Sequence, residues 1–234
     1  RPLFDGADPT DVHDVMAGAG LRLLALAEVK AFNDGSDRVL AEAEALADIA
    51  VAAGAEAVAL IPRNDGERTS LDLVRDDLRA ALTKLRPVFE ARGLVGLIEP
   101  LGFATCGLRQ KADVVVVIDE LGAGGRFKLI HDTFHHHLAG GGPIYGAHTG
   151  LVHISGVTEP SITTDQMRDP HRGHVDAADR LDNLAQLRAL HGAGYSGALS
   201  VEAFAPCVHR ATDPEGALSG SFNFIASQFS REAA

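Results

Sequence analysis

The run Phe127-Lys128-Leu129-Ile130-His131-Asp132 ends in a carboxylate, and His135 follows three positions later. A carboxylate and an imidazole leaving one strand end together make half of a metal site or half of an acid/base pair. Three further apolar runs carry a comparable group. Leu97-Ile98-Glu99-Pro100 closes on Glu99, Leu151-Val152-His153-Ile154-Ser155 carries His153, and Leu199-Ser200-Val201-Glu202 closes on Glu202. An ionisable group in a buried strand is costly unless it is paired or bound to an ion. Taken alone, each of the four reads as a satisfied polar group of the core. Taken in register, three anions and one imidazole on one rim point to a divalent cation, because three uncompensated carboxylates repel. Oxygen donors with one nitrogen suit Mn2+, Co2+, Zn2+ or Mg2+, and the donor set alone does not choose among them.

The elements that must position these groups alternate. Asp8-Pro9-Thr10 starts a helix that ends at Gly18 and Gly20. Strands are expected over 21–27, 57–62, 94–99, 127–132, 151–155 and 198–203. Helices are expected over 37–53, 70–91, 108–121, 134–138 and 178–191, with a last one over 214–229 interrupted near Gly220. Leu71, Val74, Leu78, Leu82 and Leu85 recur at three- and four-residue steps, the apolar stripe of an amphipathic helix. Between them, 158–175 is a long irregular loop, a length that is uncommon unless it is functional.

Continuous rather than alternating apolar strands, each followed by a helix, predict a parallel sheet covered by helices. Such sheets carry their chemistry at the C-terminal strand ends. Six strand–helix units follow one leading helix, whereas a closed (β/α)8 TIM barrel needs eight. For a barrel, the first strand, the first helix and most of the second strand are expected to lie outside this sequence, which opens without Met on the loop-like Arg1-Pro2-Leu3-Phe4-Asp5-Gly6. An open doubly wound sheet is the alternative. Its dinucleotide-binding version is weak, since no glycine-rich phosphate loop follows a first strand.

The chain has 234 residues, 46% of them hydrophobic, enough for a single domain with one core. A formal net charge of −11 argues against non-specific nucleic-acid binding and against an anionic membrane surface as partner. No apolar run approaches the roughly 20 residues of a membrane span. Two cysteines, Cys106 and Cys207, make a disulfide framework a poor reading and favour a reducing, cytoplasmic compartment.

The ordered set of Glu99, Asp132-Thr133-Phe134-His135, His153 and Val201-Glu202-Ala203-Phe204 resembles the xylose isomerase-like TIM-barrel superfamily of sugar isomerases and epimerases. The resemblance covers about residues 21–206. Within the superfamily, Leu24-Ala25-Leu26 with Phe32-Asn33, and Asp132-x-Phe134-His135-x-His137, resemble the inosose (2-keto-myo-inositol) isomerases. The resemblance implies one divalent ion held by Glu99, Asp132, His153 and Glu202. It implies an isomerase or epimerase of a sugar or inosose that moves a proton through an enediolate stabilised by that ion. Glu99 and Glu202 are then the acid/base pair as well as ligands, and His135 contacts a substrate oxygen. The family arginine of the long loop matches Arg168 with a one-residue gap, and Arg172 is its rival. The Pro-Gly-x-Gly expected next is replaced by Asp169-Pro170-His171-Arg172-Gly173-His174. Lys30 and Asn33, at an earlier strand end, are placed to reach a small keto-polyol substrate or to remain solvated loop residues.

Three other readings share parts of this pattern. A metal-dependent dehydratase of inosose or dehydroshikimate type uses the same ligand set. An endonuclease IV-like phosphodiesterase needs further histidines at the earlier strand ends, which here read Ala27-Glu28 and Ile61-Pro62-Arg63. A non-catalytic barrel would bind a ligand without turning it over. Homo-oligomerisation is left open.

Overall fold

A computed structural model describes residues 3–67 and 70–230. Arg1 and Pro2 of the opening stretch lie outside the described residues; Leu3–Gly6 is a tight turn with left-handed backbone at Phe4 and Asp5. Among the described residues the strands neighbour one another in the order of the chain. The chain forms two compact units, residues 1–101 with 105–129, and residues 102–104 with 130–234.

The first unit holds α1 (Pro9–Gly18), β1 (Ala25–Lys30), α2 (Asp37–Ala52), β2 (Ala57–Ile61), α3 (Leu71–Arg92), β3 (Val95–Ile98), α4 (Lys111–Glu120) and the start of β4 (Phe127–Asp132). Helices α1, α2 and α3 begin where side-chain oxygens satisfy first-turn N–H groups. Asp8 accepts from Thr10 N at 2.8 Å, Ser36 from Val39 N at 3.3 Å and Ser70 from Leu73 N at 3.4 Å. β1 pairs with β2, β2 with β3 and β3 with β4, all parallel. Val58 and Leu60 of β2, Ile98 of β3 and Phe127 of β4 are buried, as are Leu78, Leu82, Leu85 and Phe89 on the apolar stripe of α3. Phe89 meets Phe127 edge to face at 5.9 Å. Gly96 makes room for that ring, since a Cβ there would stand 2.7 Å from Phe127 Cδ1.

The second unit holds the end of β4, α5 (Thr133–Leu138), β5 (Thr149–Ile154), α6 (Asn183–Gly192), β6 (Leu199–Val201), α7 (Pro206–His209) and α8 (Pro214–Ser230). β5 and β6 are parallel, with Ile154 opposite Val201. Val152, Ile154, Val175, Leu187, Leu190, Tyr195 and Ile225 make one core cluster. Phe134, Val157, Met167 and Leu181 make another, beneath the long loop.

Four expectations about boundaries are corrected. β1 starts at Ala25 rather than Leu21, because its ladder begins where Ala25 meets Ala57, the first residue of β2. α4 starts at Lys111 rather than Leu108, which is buried in the connection before it. α6 starts at Asn183 rather than Ala178, because acidic side chains claim the preceding N–H groups. Asp176 Oδ1 accepts from Ala178 N at 2.7 Å, and Asp179 accepts from Leu181 N at 3.1 Å and Asn183 N at 3.0 Å. α8 runs without interruption through Gly220, a residue whose cost in a helix interior, about 1 kcal/mol, the packing of the helix absorbs.

The long loop is partly ordered by backbone bonds. It contains 3-10 turns at Thr164–Gln166 and Asp169–His171. Gly156 and Gly173 exchange two N–H to carbonyl bonds of 2.8 Å each, an isolated antiparallel bridge at the base of the loop. A Cβ on Gly156 would stand 2.5 Å from the His174 carbonyl oxygen, so the bridge needs glycine there.

Candidate metal centre

Asp132 closes β4 and caps α5. Its Oδ1 accepts from His135 N at 2.9 Å, so the Asp-x-x-His spacing is the spacing of a helix cap to its third residue. Glu202 follows β6 directly, and its N–H still donates to the Ile154 carbonyl at 2.9 Å, which anchors it to the sheet. His153 lies inside β5. Asp132, His153 and Glu202 each offer a ligand atom, and these atoms lie within 4.8 Å of one another. His153 Nδ1 is 3.3 Å from Glu202 Oε2.

A buried cation joins them. Arg172, 1% exposed, donates from Nη2 to Asp132 Oδ2 at 2.5 Å and to Glu202 Oε2 at 2.6 Å. Its Nε donates to Ser155 Oγ at 3.0 Å. Its guanidinium carbon stands 4.8 Å from the ring centre of Phe134 and 5.1 Å from that of Phe204. Two carboxylates thus converge on one cationic nitrogen with an imidazole beside them. That donor set fits a divalent ion of the Mn2+ or Zn2+ kind, with Asp132, His153 and Glu202 as holders.

Burial by itself would raise the Asp132 carboxyl, but the Arg172 guanidinium, with His135 and His153, holds it well below the usual carboxylate range. Burial pushes His135 down, against the opposing pull of Asp132. His135 Nδ1 accepts from Gly102 N at 3.2 Å, which leaves the proton of the neutral ring on Nε2 as a donor. The ring packs edge-on to Phe103 at 5.0 Å and Phe134 at 5.3 Å, which fixes its plane.

Glu99, in the first unit, is a buried carboxylate directly after β3, its N–H on the Leu60 carbonyl at 3.1 Å. Arg168 is exposed, with its Nη1 on the carbonyls of Asp165 and Met167. The arginine that joins the carboxylates is Arg172, whereas Arg168 lies on the surface of the loop. The turn at Asp169–His171 carries the chain from one to the other. Lys30 is exposed and 3.2 Å from Glu28. Asn33 is buried, its Oδ1 accepting from Arg63 N at 2.8 Å, so it ties the loop after β1 to the loop after β2. Asn33→Ala is expected to cost about 1–2 kcal/mol by leaving that N–H unsatisfied, read as a lower urea midpoint. An unchanged midpoint would remove the tie. Both cysteines are free thiols, Cys106 buried and Cys207 exposed.

Residues 3–228 match the family described as xylose isomerase-like TIM barrel. The chain belongs to that family. Members of the xylose isomerase-like fold among solved structures align over nearly its whole length. A xylose isomerase domain-containing protein from Salmonella typhimurium LT2 is 29% identical, with a TM-score of 0.77 over 97% of this chain and 80% of that one. The IolI protein, solved with a bound zinc atom, is 20% identical, with a TM-score of 0.85 over 96% of this chain and 83% of that one. An L-ribulose 3-epimerase is 20% identical, with a TM-score of 0.70 over 100% and 84%. The last two, at that identity, show the shared fold. Among curated protein sequences there is no match. No helix among the described residues is long and apolar enough to cross a membrane.

Proposed function

We propose that this xylose isomerase-like chain is a divalent-metal-dependent isomerase or epimerase of a keto-polyol, a sugar or an inosose. The observation that carries the reading is the convergence of Asp132, His153 and Glu202 on one point at the C-terminal strand ends, where two of them share a buried cation. Glu99 is the fourth holder. It supports the assignment that Glu99 is a buried carboxylate closing β3, and that β3 pairs in parallel with β4, Ile98 opposite Leu129, the strand that ends in Asp132. The bound zinc of IolI and the epimerase activity in the name of the ribulose enzyme agree in chemistry with this reading.

A divalent ion held there supplies Lewis-acid polarisation of a carbonyl. The chain's own groups do the rest. One of Glu99 and Glu202 takes the proton from the hydroxyl-bearing carbon next to the carbonyl, and the C–H electron pair passes toward the carbonyl oxygen. A proton returned to the neighbouring carbon, with the hydroxyl proton passing to the former carbonyl oxygen, gives isomerisation, and one returned to the opposite face of the same carbon gives epimerisation. His135 donates from Nε2 to a substrate oxygen. Arg172, held by Ser155 between two aromatic rings, offsets the charge of Asp132 and Glu202.

Elemental analysis of the purified protein tests the site. One Zn2+, Mn2+ or Co2+ per chain is expected, lost in Glu202→Ala. No ion in either protein after incubation with all three would sink the reading.

A further inference from the structure

Two amide side chains on α6 stand behind the metal centre. Asn183 and Gln186 are three residues apart and share one face of the helix. Asn183 is fully buried and Gln186 is 8% exposed. Gln186 Nε2 donates to the carbonyls of Thr133 at 3.0 Å and Leu181 at 2.7 Å, which uses both of its protons. Its Oε1 is then left to accept from His131 Nε2, 2.9 Å away. His131 and Thr133 are the two neighbours of Asp132 in the chain. One amide therefore grips the residue before the ligand by its side chain and the residue after it by its backbone. Successive strand residues face opposite sides, so His131 is turned from the face that Asp132 serves, and the grip comes from behind. Asn183 does the same at the next strand. Its Nδ2 donates to the Ser155 carbonyl at 2.7 Å, and the hydroxyl of Ser155 receives Arg172 Nε.

We propose that Gln186, with Asn183 beside it, is a positioning residue that sets Asp132, and through Ser155 sets Arg172, in the geometry that binds the metal. The inference rests on the proposed metal centre. Packing alone does not explain the pair. The neighbouring Leu187 and Leu190 bury apolar surface on the same helix, whereas Asn183 spends its amide protons on the Ser155 carbonyl and Asp179 Oδ2, and its Oδ1 accepts no hydrogen bond among the described residues. Partners that orient metal ligands from behind change metal affinity by about 10–100-fold when removed.

The test is Zn2+ affinity, by competition with a chromophoric chelator, for the wild type, Asp132→Asn, Gln186→Met and the packing control Leu190→Val. Methionine keeps the length and helix preference of glutamine without its hydrogen bonds. Gln186→Met is expected to bind one Zn2+ about tenfold more weakly, while Leu190→Val, at a comparable loss of thermal stability, stays within about twofold of wild type. Should Gln186→Met not fold, Gln186→Glu takes its place, because it loses both donors to the Thr133 and Leu181 carbonyls. Wild-type affinity in the Gln186 variant, or equal weakening in the Leu190 variant, overturns the positioning role alone. A wild type that binds no Zn2+, or Asp132→Asn that binds it unchanged, overturns the metal centre and this inference with it.

Discussion

Glu202→Gln is expected to fold as the wild type does and to lose about 10^2–10^4-fold in turnover, the range for removing one positioned general acid or base. The amide has the shape of the carboxylate and can turn its oxygen toward Arg172 Nη2, which now stands 2.6 Å from Glu202 Oε2. The backbone anchor to Ile154 is untouched. What the substitution removes is the ability to hold a proton. The measurement is incorporation of solvent deuterium into a panel of ketoses and inososes, followed by NMR, with circular dichroism as the check on folding. If the variant exchanged protons at the wild-type rate, Glu202 would not be the acid/base group. If it lost exchange only in step with lost metal, its part would be that of a ligand alone.

Arg172→Met should show the second large effect, in stability rather than turnover. The guanidinium joins two carboxylates at 2.5 and 2.6 Å, and removing one partner of a buried ionic cluster costs about 3–5 kcal/mol. The penalty comes from Asp132 and Glu202 facing each other without a cation. A divalent ion bound to the folded chain supplies one, and a ligand that binds only the folded state adds stability by mass action. Urea denaturation in a chelator and in excess Zn2+ reads both quantities. The variant should fall well below wild type in the chelator and recover more from Zn2+ than wild type gains. Equal gains in the two proteins would show that the arginine and the metal answer to different groups.

The strand ends were legible because each acid closes a continuous apolar run, and a buried parallel strand has few other ways to look. Asp132 was legible twice over, since the cap of α5 demands an acceptor where the strand demands a terminus. Arg172 was not. The residues around it depart from the Pro-Gly-x-Gly that the resemblance leads one to expect, and no local signal separates an arginine buried under a loop from one such as Arg168 that lies on it. Asn183 and Gln186 were missed for a related reason. In a helix, amides read as solvated positions, and only the partners across space, Ser155, His131 and Thr133, mark them as buried. The start of α6 was misplaced because Asp176 and Asp179 look like first-turn helix acids but spend their oxygens on a turn.

The glycine bridge at the base of the long loop separates two things that chain length would otherwise couple. A free connection from Val157 to Arg172 would deliver the arginine with an entropy cost that grows with its length. The exchange of bonds between Gly156 and Gly173 closes the loop at its neck, one residue after Arg172. The arginine is thus held by the neck and by Ser155. At the tip of the loop Pro160 and Ser161 are exposed, while Ile162 packs on the cluster around Phe134. Loops that run over the surface of a rigid scaffold tolerate change more readily than the elements they connect.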